Sequence, residues 1–222
     1  MKLVIVGASY IAEVAYEYFT ADSDHEVVAF AVERSALERH RLFGLPVVAF
    51  EDVETLYPPD THGAFIATGY AQLNRVRERL YLEAKAKGYS LASYVSSRAF
   101  VWRNVTLGDN CFILENNVLQ PFVTIGNNVT LWSGNHIGHH ASIGDHVFIA
   151  SHVVLSGLVK VGAYCFFGVN SAVADNVTIG ADSLIGAGAT ILRDAVGGKI
   201  YAMEGTKPRG DALAFFGVEG HE

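Results

Sequence analysis

The sequence predicts two architectures in series: a Rossmann-like α/β layer over residues 1–94 and a parallel β-helix over 95–193, followed by a tail over 194–222. Three observations predict them. An aliphatic or aromatic side chain returns every sixth residue, from Val95, Val101 and Leu107 through Ile137, Ile143 and Ile149 to Ile179, Ile185 and Ile191, without a slip. The residue two places earlier is usually small or β-branched (Cys111, Val123, Ala141, Val153, Ser171), and the one after is often glycine (Gly108, Gly126, Gly138, Gly144, Gly168, Gly186). The residues in front open in the order strand, glycine turn, helix, strand.

A fixed short period marks a solenoid. Period six fits neither a 3.6-residue helix nor a hairpin array, so each hexad is read as one short strand plus a turn, with small or glycine residues supplying the tight corner. Three hexads close one triangular coil, and residues eighteen apart then stack in parallel strands about 4.8 Å apart. Seventeen hexads make between five and six coils.

In the first part, Lys2–Val6 reads as a buried strand, Gly7-Ala8-Ser9 as a turn, and Ile11, Val14, Ala15 and Tyr18 as the apolar side of a helix; Glu26–Val32 is the second strand, ending near Glu33. A dinucleotide fingerprint would need glycines at 9 and 12, where the chain has Ser9 and Ala12, so dinucleotide binding is not expected. What remains is either a turn whose backbone N–H groups face a ligand at a helix N-terminus or a plain tight turn. Further on, the pattern predicts a strand at Pro46-Val47-Val48, a short helix over 51–56, a strand over Gly63–Thr68 and a long helix from about Ala71 to Lys87, stopped by Gly88. Arg75 and Arg79, one helical turn apart, present charge to a ligand or form a solvated face. No Gly/Ser-rich linker separates Tyr94 from the first hexads, so the two parts are expected to pack rigidly. The tail carries Tyr201, Lys207, Pro208 and Arg209.

A net charge of −7 argues against nucleic acid or an anionic membrane as the main partner. With no eighteen-residue apolar run and no signal-peptide pattern, a cytoplasmic protein is expected. Cys111 and Cys165 stand three coils apart in one column, about 14 Å, beyond disulfide reach. They read as small inward-facing hydrophobes.

Five histidines crowd into 136–152: His136, His139, His140, His146 and His152. Such density raises the question of zinc. The period answers it, because His140, His146 and His152 each follow a register residue by three places and so occupy the three corners of one coil, pointing apart. No metal site is expected. Asn117 and Asn135, eighteen apart, are read as a stacked structural ladder, and Glu115 lies outside the column of His139.

The stretch as a whole resembles the left-handed parallel β-helix acyltransferases of the hexapeptide-repeat type. Gly138-His139-His140-Ala141-Ser142-Ile143-Gly144, followed by Phe148 to Gly157, is similar to the subgroup that acetylates nucleotide-linked amino sugars, together with the sialic acid O-acetyltransferase-like proteins. That resemblance runs through nearly the whole chain, including Gly7-Ala8-Ser9 and Gly69 to Arg75. It implies the left-handed sense of the helix, a homotrimer, acetyl-CoA as co-substrate and a nucleotide-linked sugar as acceptor. It also implies His139 as general base, with Gly157 at the thioester end of acetyl-CoA and the nucleotide held near Gly7, Ser9 and Glu33. The spacing agrees, since 139 and 157 differ by one coil, and a neutral imidazole suits proton abstraction at pH 7. A backbone N–H near Gly157 is the expected oxyanion donor. Ala174, Gly186 and Ala187 offer small residues to the pantetheine arm, and Lys207 and Arg209 could meet the CoA phosphates.

One departure stands out. The subgroup usually follows this histidine with Asp or Glu, which holds the ring's tautomer. Here that place is His140, so His140, Asn135, Asp145 or a backbone carbonyl is left to orient His139. Two uses are open to His136: contact with substrate or oxyanion, or capping a neighbouring strand. The expected reaction is N-acetylation of a nucleotide-linked amino sugar for glycan precursor synthesis. The alternatives are O-acetylation of a sugar such as sialic acid, a metal-dependent β-helical hydratase, or a non-catalytic scaffold.

Overall fold

The computed structural model describes residues 1–205, so Lys207 and Arg209 lie outside the described residues. The first part is a five-stranded sheet built from β1 (Lys2–Val6), β2 (Glu26–Val32), β3 (Arg41–Leu42), β4 (Leu45–Ala49) and β5 (His62–Ile66), with helices α1 (Tyr10–Ala21), α2 (Val53–Leu56) and α3 (Arg75–Ala86). Its order is β3-β4-β2-β1-β5, parallel except for the β3–β4 pair. The chain fills one side of β1 and then crosses to the other, so the strand order reverses between β1 and β5. In open α/β sheets the crevice at such a reversal, outside the carboxyl ends of the strands, is the natural ligand site. Gly7 and Thr68 lie just beyond those two ends.

The long helix starts later than its apolar pattern predicts. Gln72, Leu73 and Asn74 adopt left-handed backbone (φ 51°, 51° and 68°), and helical geometry begins only at Arg75. Asn74 is fully buried there, so tertiary packing overrides local propensity.

From Tyr94 onward, two-residue strands form a left-handed β-helix with three flat faces. Partners are eighteen residues apart, as in Val118, His136, Val154 and Ala172, until the last pair, where Leu184 meets Ile200. The register residues fill one continuous column, with Leu119, Leu131, Ile137, Ile149 and Leu155 all at 0% exposure. From Asn110 to Gly188 each corner residue, three places after the register, is left-handed: Asn110, Asn128, His146 and Tyr164 on one edge, Phe122, His140 and Leu158 on the next, Asn116, Gly134 and His152 on the third. The recurrent glycine therefore does not serve to turn the corner. It allows close stacking instead: a Cβ on Gly138 would lie 2.5 Å from the carbonyl carbon of Ser156 and 2.6 Å from the nitrogen of Gly157.

The α/β layer sits on the face that carries Tyr94, Phe112, Thr130, Phe148 and Phe166. Phe19, Phe65, Tyr94 and Phe112 form one aromatic cluster across the junction. Asn110 binds the edge of β5 through both amide atoms, accepting from the Ile66 N–H at 2.8 Å and donating to its carbonyl at 3.4 Å. It also donates to Asn128, whose amide meets His146 Nδ1 at 3.0 Å, so the polar ladder runs along this corner. Asn117 and Asn135 make no such ladder: both donate to the Trp132 carbonyl.

Helix α3 closes the same corner. Arg75 stacks on Tyr164 and pairs with Asp182, while Arg79 is held by Glu33 and Glu83, so both arginines serve the fold. Arg77 is 1% exposed, and burial lowers its pKa to about 10. It donates to the Thr130 hydroxyl at 2.6 Å and the Val147 carbonyl at 3.2 Å, tying the helix to two strands. Arg77→Ala should remove about 2–4 kcal/mol of stability, through the cavity and the hydroxyl left unpaired, read as a lower denaturation midpoint.

Burial also lowers the His146 pKa from 6.5, against the pull of Glu78 at 3.9 Å. The unfolded chain therefore takes up this proton first, and the stability His146 provides is fully present above about pH 6.5 and lost as pH falls through the folded value. Across that window, denaturation midpoints of His146→Gln should fall less steeply with pH than those of the parent; parallel curves would contradict this.

Candidate active site

His139 and His140 sit on the edge opposite the face that the α/β layer covers. The coil fixes both backbones. The His139 N–H donates to Gln120 Oε1 at 2.9 Å, its carbonyl accepts from Leu158 at 2.8 Å, and the His140 N–H donates to the Pro121 carbonyl at 3.0 Å. His140 is left-handed (φ 58°), and its ring stacks on Phe122 with centroids 4.5 Å apart. The two imidazoles meet edge to face with Nδ1 to Nδ1 at 3.2 Å. One proton serves that contact. When His139 carries it and His140 accepts, Nε2 of His139 is left with a free lone pair.

That Nε2 faces Gly157. A Cβ at position 157 would stand 2.7 Å from both Nε2 and Cε1 of His139, so any side chain there would fill the space in front of that imidazole. The Gly157 N–H, the expected oxyanion donor, is donated to Asp175 Oδ1 at 2.8 Å. Of the other candidates for orienting His139, Asn135 is buried with its oxygen on the Val153 N–H, and Asp145 lies on another edge, bound to Asn127. His140 is the group that reaches it.

Residues assigned to acyl-donor binding fall on two edges. Gly157 and Ala174 flank the edge of His139, whereas Gly186 and Ala187 follow the strand Leu184–Ile185 onto a different one. His136 lies on the flat face beside the base, paired in register with Val118 and Val154. Burial pushes the Cys111 and Cys165 thiols up to about 11, which leaves neither as a nucleophile at neutral pH.

The α/β layer holds a second site element. A hollow of about 390 Å³ at the strand-order reversal is lined by Gly7, Ala8, Ser9, Arg39 and Thr68 among others. Gly7 is obligatory: its φ is +136°, and a Cβ would lie 2.5 Å from the Ala67 carbonyl. Ser9 precedes α1 without using its hydroxyl as a cap, and the Thr68 hydroxyl is buried without a partner. Arg39 arches over the turn, donating to the Ala8 carbonyl at 2.9 Å. Glu33 does not join this group, since its carboxylate grips Arg79 and lines a separate hollow. Arg39 and Thr68 carry no motif in the sequence and become visible only when the sheet brings them to Gly7.

Among the described residues no three His, Cys, Asp or Glu side chains converge as metal ligands, and no helix is long and apolar enough to cross a membrane.

Residues 104–138, 122–157 and 159–193 match the family model described as bacterial transferase hexapeptide (six repeats). A mutant of perosamine N-acetyltransferase from Caulobacter crescentus, solved with CoA and GDP-perosamine, superposes with a TM-score of 0.84 at 27% identity over 95% of this chain and 98% of that one. The acetyltransferase domain of PglB from Neisseria gonorrhoeae FA1090 (TM-score 0.83, 23% identity, 94% and 99% covered) and WeeI from Acinetobacter baumannii AYE (0.68, 20%, 90% and 96%) share the fold. No curated protein sequence matches. The hexapeptide repeat of the bacterial transferases thus covers residues 104–157 and 159–193, within a fold shared with left-handed β-helix acetyltransferases.

If Gly157 is the clearance in front of the base, Gly157→Ala should fold normally and lose on the order of 100-fold in acyl transfer, as a misplacement of about 1 Å does. Steady-state kinetics beside a thermal melt would separate that loss from instability.

Proposed function

We propose that the protein transfers the acetyl group of acetyl-CoA to the amino group of a nucleotide-linked amino sugar, serving glycan precursor synthesis in the cytoplasm. The observation that carries this reading is the placement of His139 Nε2 against the bare Cα of Gly157. A base with a free lone pair faces a gap that admits a thioester and an incoming nucleophile. The perosamine enzyme, bound to CoA and a GDP-linked amino sugar, supports the choice of both substrates.

His139 Nε2 takes a proton as the sugar amine attacks the thioester carbonyl. The N–C bond forms and the C–S bond breaks, and the imidazolium returns its proton to the departing thiolate. His140 holds the productive tautomer through the Nδ1 contact and is itself fixed by the Phe122 stack. His136, on the adjoining face, is assigned to the acceptor sugar. Residues 1–94 hold the nucleotide in the hollow at Gly7 and Ser9, with Arg39 and Thr68 added to the set and Glu33 removed from it. Residues 95–193 carry out transfer, and Lys207 in the tail over 194–222 is assigned to CoA.

Geometry also supports an assembly of more than one copy, which the family resemblance makes a homotrimer. The edge bearing His139 stands on the order of 15 Å from the opposite face, behind which the hollow lies. An acceptor held at Gly7 therefore meets the base of another copy, not its own. The same arrangement accounts for donor residues on two edges, with Gly157 and Ala174 coming from one copy and Gly186 and Ala187 from its neighbour.

Thiol release from acetyl-CoA should require a nucleotide-linked amino sugar and fail with free sialic acid, which offers hydroxyls. His139→Ala should keep the melting temperature and lower kcat/KM by about two to four orders of magnitude. Near-normal turnover in that variant would overturn the assignment.

A further inference from the structure

We infer that Asp175, two coils beyond His139 in the same column, is the acidic positioning residue of the base, standing in for the carboxylate that position 140 lacks. The inference rests on the reading of His139 as general base. Residues 139, 157 and 175 are successive members of one column, and the middle member has no side chain to separate the outer two. The point that a Cβ on Gly157 would occupy lies 2.7 Å from His139 Nε2 and 3.3 Å from Asp175 Oδ1. The two groups are therefore within about 6 Å of each other, the range in which an opposite charge favours the ionised form of a neighbour.

Asp175 is held in that position. Its Oδ1 accepts the Gly157 N–H at 2.8 Å, and the Asn176 N–H donates to the Gly157 carbonyl at 2.8 Å, pinning the turn that carries it. The coil above the base thus presents negative charge to it. When His139 takes the proton of the amine, Asp175 lies where it stabilises the imidazolium, while His140 fixes the ring at the other nitrogen. The titratable groups facing His139 include His140 on its own turn, His136 on the strand leading into it and Asp175 from above, while uncharged Gln120 holds its backbone N–H. Arg193 occupies the next place in the column beyond Asp175 and makes no ion pair with it among the described residues.

The same hydrogen bond occurs on another edge, where Asp145 Oδ1 accepts the Asn127 N–H at 2.6 Å beside the structural His146 and away from His139. That separates charge from scaffolding. Asp175→Asn keeps an oxygen for the Gly157 N–H and removes only the charge; Asp145→Asn does the same on an edge away from His139. For Asp175→Asn, kcat/KM should fall about 10- to 100-fold, the usual loss for a removed outer-shell partner. The acid limb of its pH profile should move to lower pH, because protonated His139 has lost its stabilising charge. Asp175→Glu should restore the limb, and Asp145→Asn should leave it in place. A profile for Asp175→Asn that superposes on the parent's would overturn the inference and reduce Asp175 to a turn ligature, while leaving the His139→Ala result, and the proposed reaction, untouched.

Discussion

The structure depends on the hydrogen bonds between successive coils, in which a strand N–H reaches the carbonyl seventeen residues further along the chain. The Gly138 N–H reaches the Leu155 carbonyl at 2.8 Å, the Ser156 N–H reaches Val173 at 3.1 Å, and the pattern repeats along all three faces. So rigid a ladder dictates conformation to whatever residue falls at a corner. Phe122, His140, Leu158 and Tyr164 all take left-handed backbone, a state costing roughly 1–2 kcal/mol for a residue with a Cβ. The ladder offsets that cost, and in return the corner side chains are aimed with little freedom. His140 is pointed by the coil before any partner is considered, and Phe122 one coil below then fixes its ring.

One turn geometry serves two ends because the edges differ in what covers them. On the corner under α3, Asn110, Asn128, His146 and Tyr164 are shielded from water, and their polar atoms bond to one another or to the helix. His146 there is a structural group whose burial disfavours charge. On the opposite edge His139 and His140 are exposed, and the α/β layer is out of reach. Two histidines six residues apart, 140 and 146, thus have unlike chemistry for a reason that lies in the packing of another part of the chain.

This explains what could be read from the sequence and what could not. The six-residue period is local and uninterrupted, so the β-helix, its core column and the separation of His140, His146 and His152 were all legible. The stacking of His139 on Gly157 followed from arithmetic on the same period. Contacts across the junction were not legible, because nothing in the local pattern of Arg77 distinguishes a buried tie from a solvated cation, or marks Glu33 as the partner of Arg79. The glycines were read as corner-formers, whereas the structure gives them to close stacking. Arg39 and Thr68 reach Gly7 only through the sheet order.

A solenoid is a poor enclosure but an accurate ruler. Its flat faces and exposed edges hold no deep cleft, so a small acceptor must be confined by something outside the coil. In this chain the hollow proposed to do so, at Gly7, Ser9, Thr68 and Arg39, belongs to the layer packed on the one face that cannot see His139. The coil stacks Nε2, the bare Cα of Gly157 and the Asp175 carboxylate within a few ångströms of one another, and the sheet places the hollow at its own reversal point. Neither element shapes the other within one copy. Under the proposed reaction, alignment between them becomes a property of how copies pack, so residues on the packing faces, far from His139 in their own chain, would govern how well acceptor meets donor.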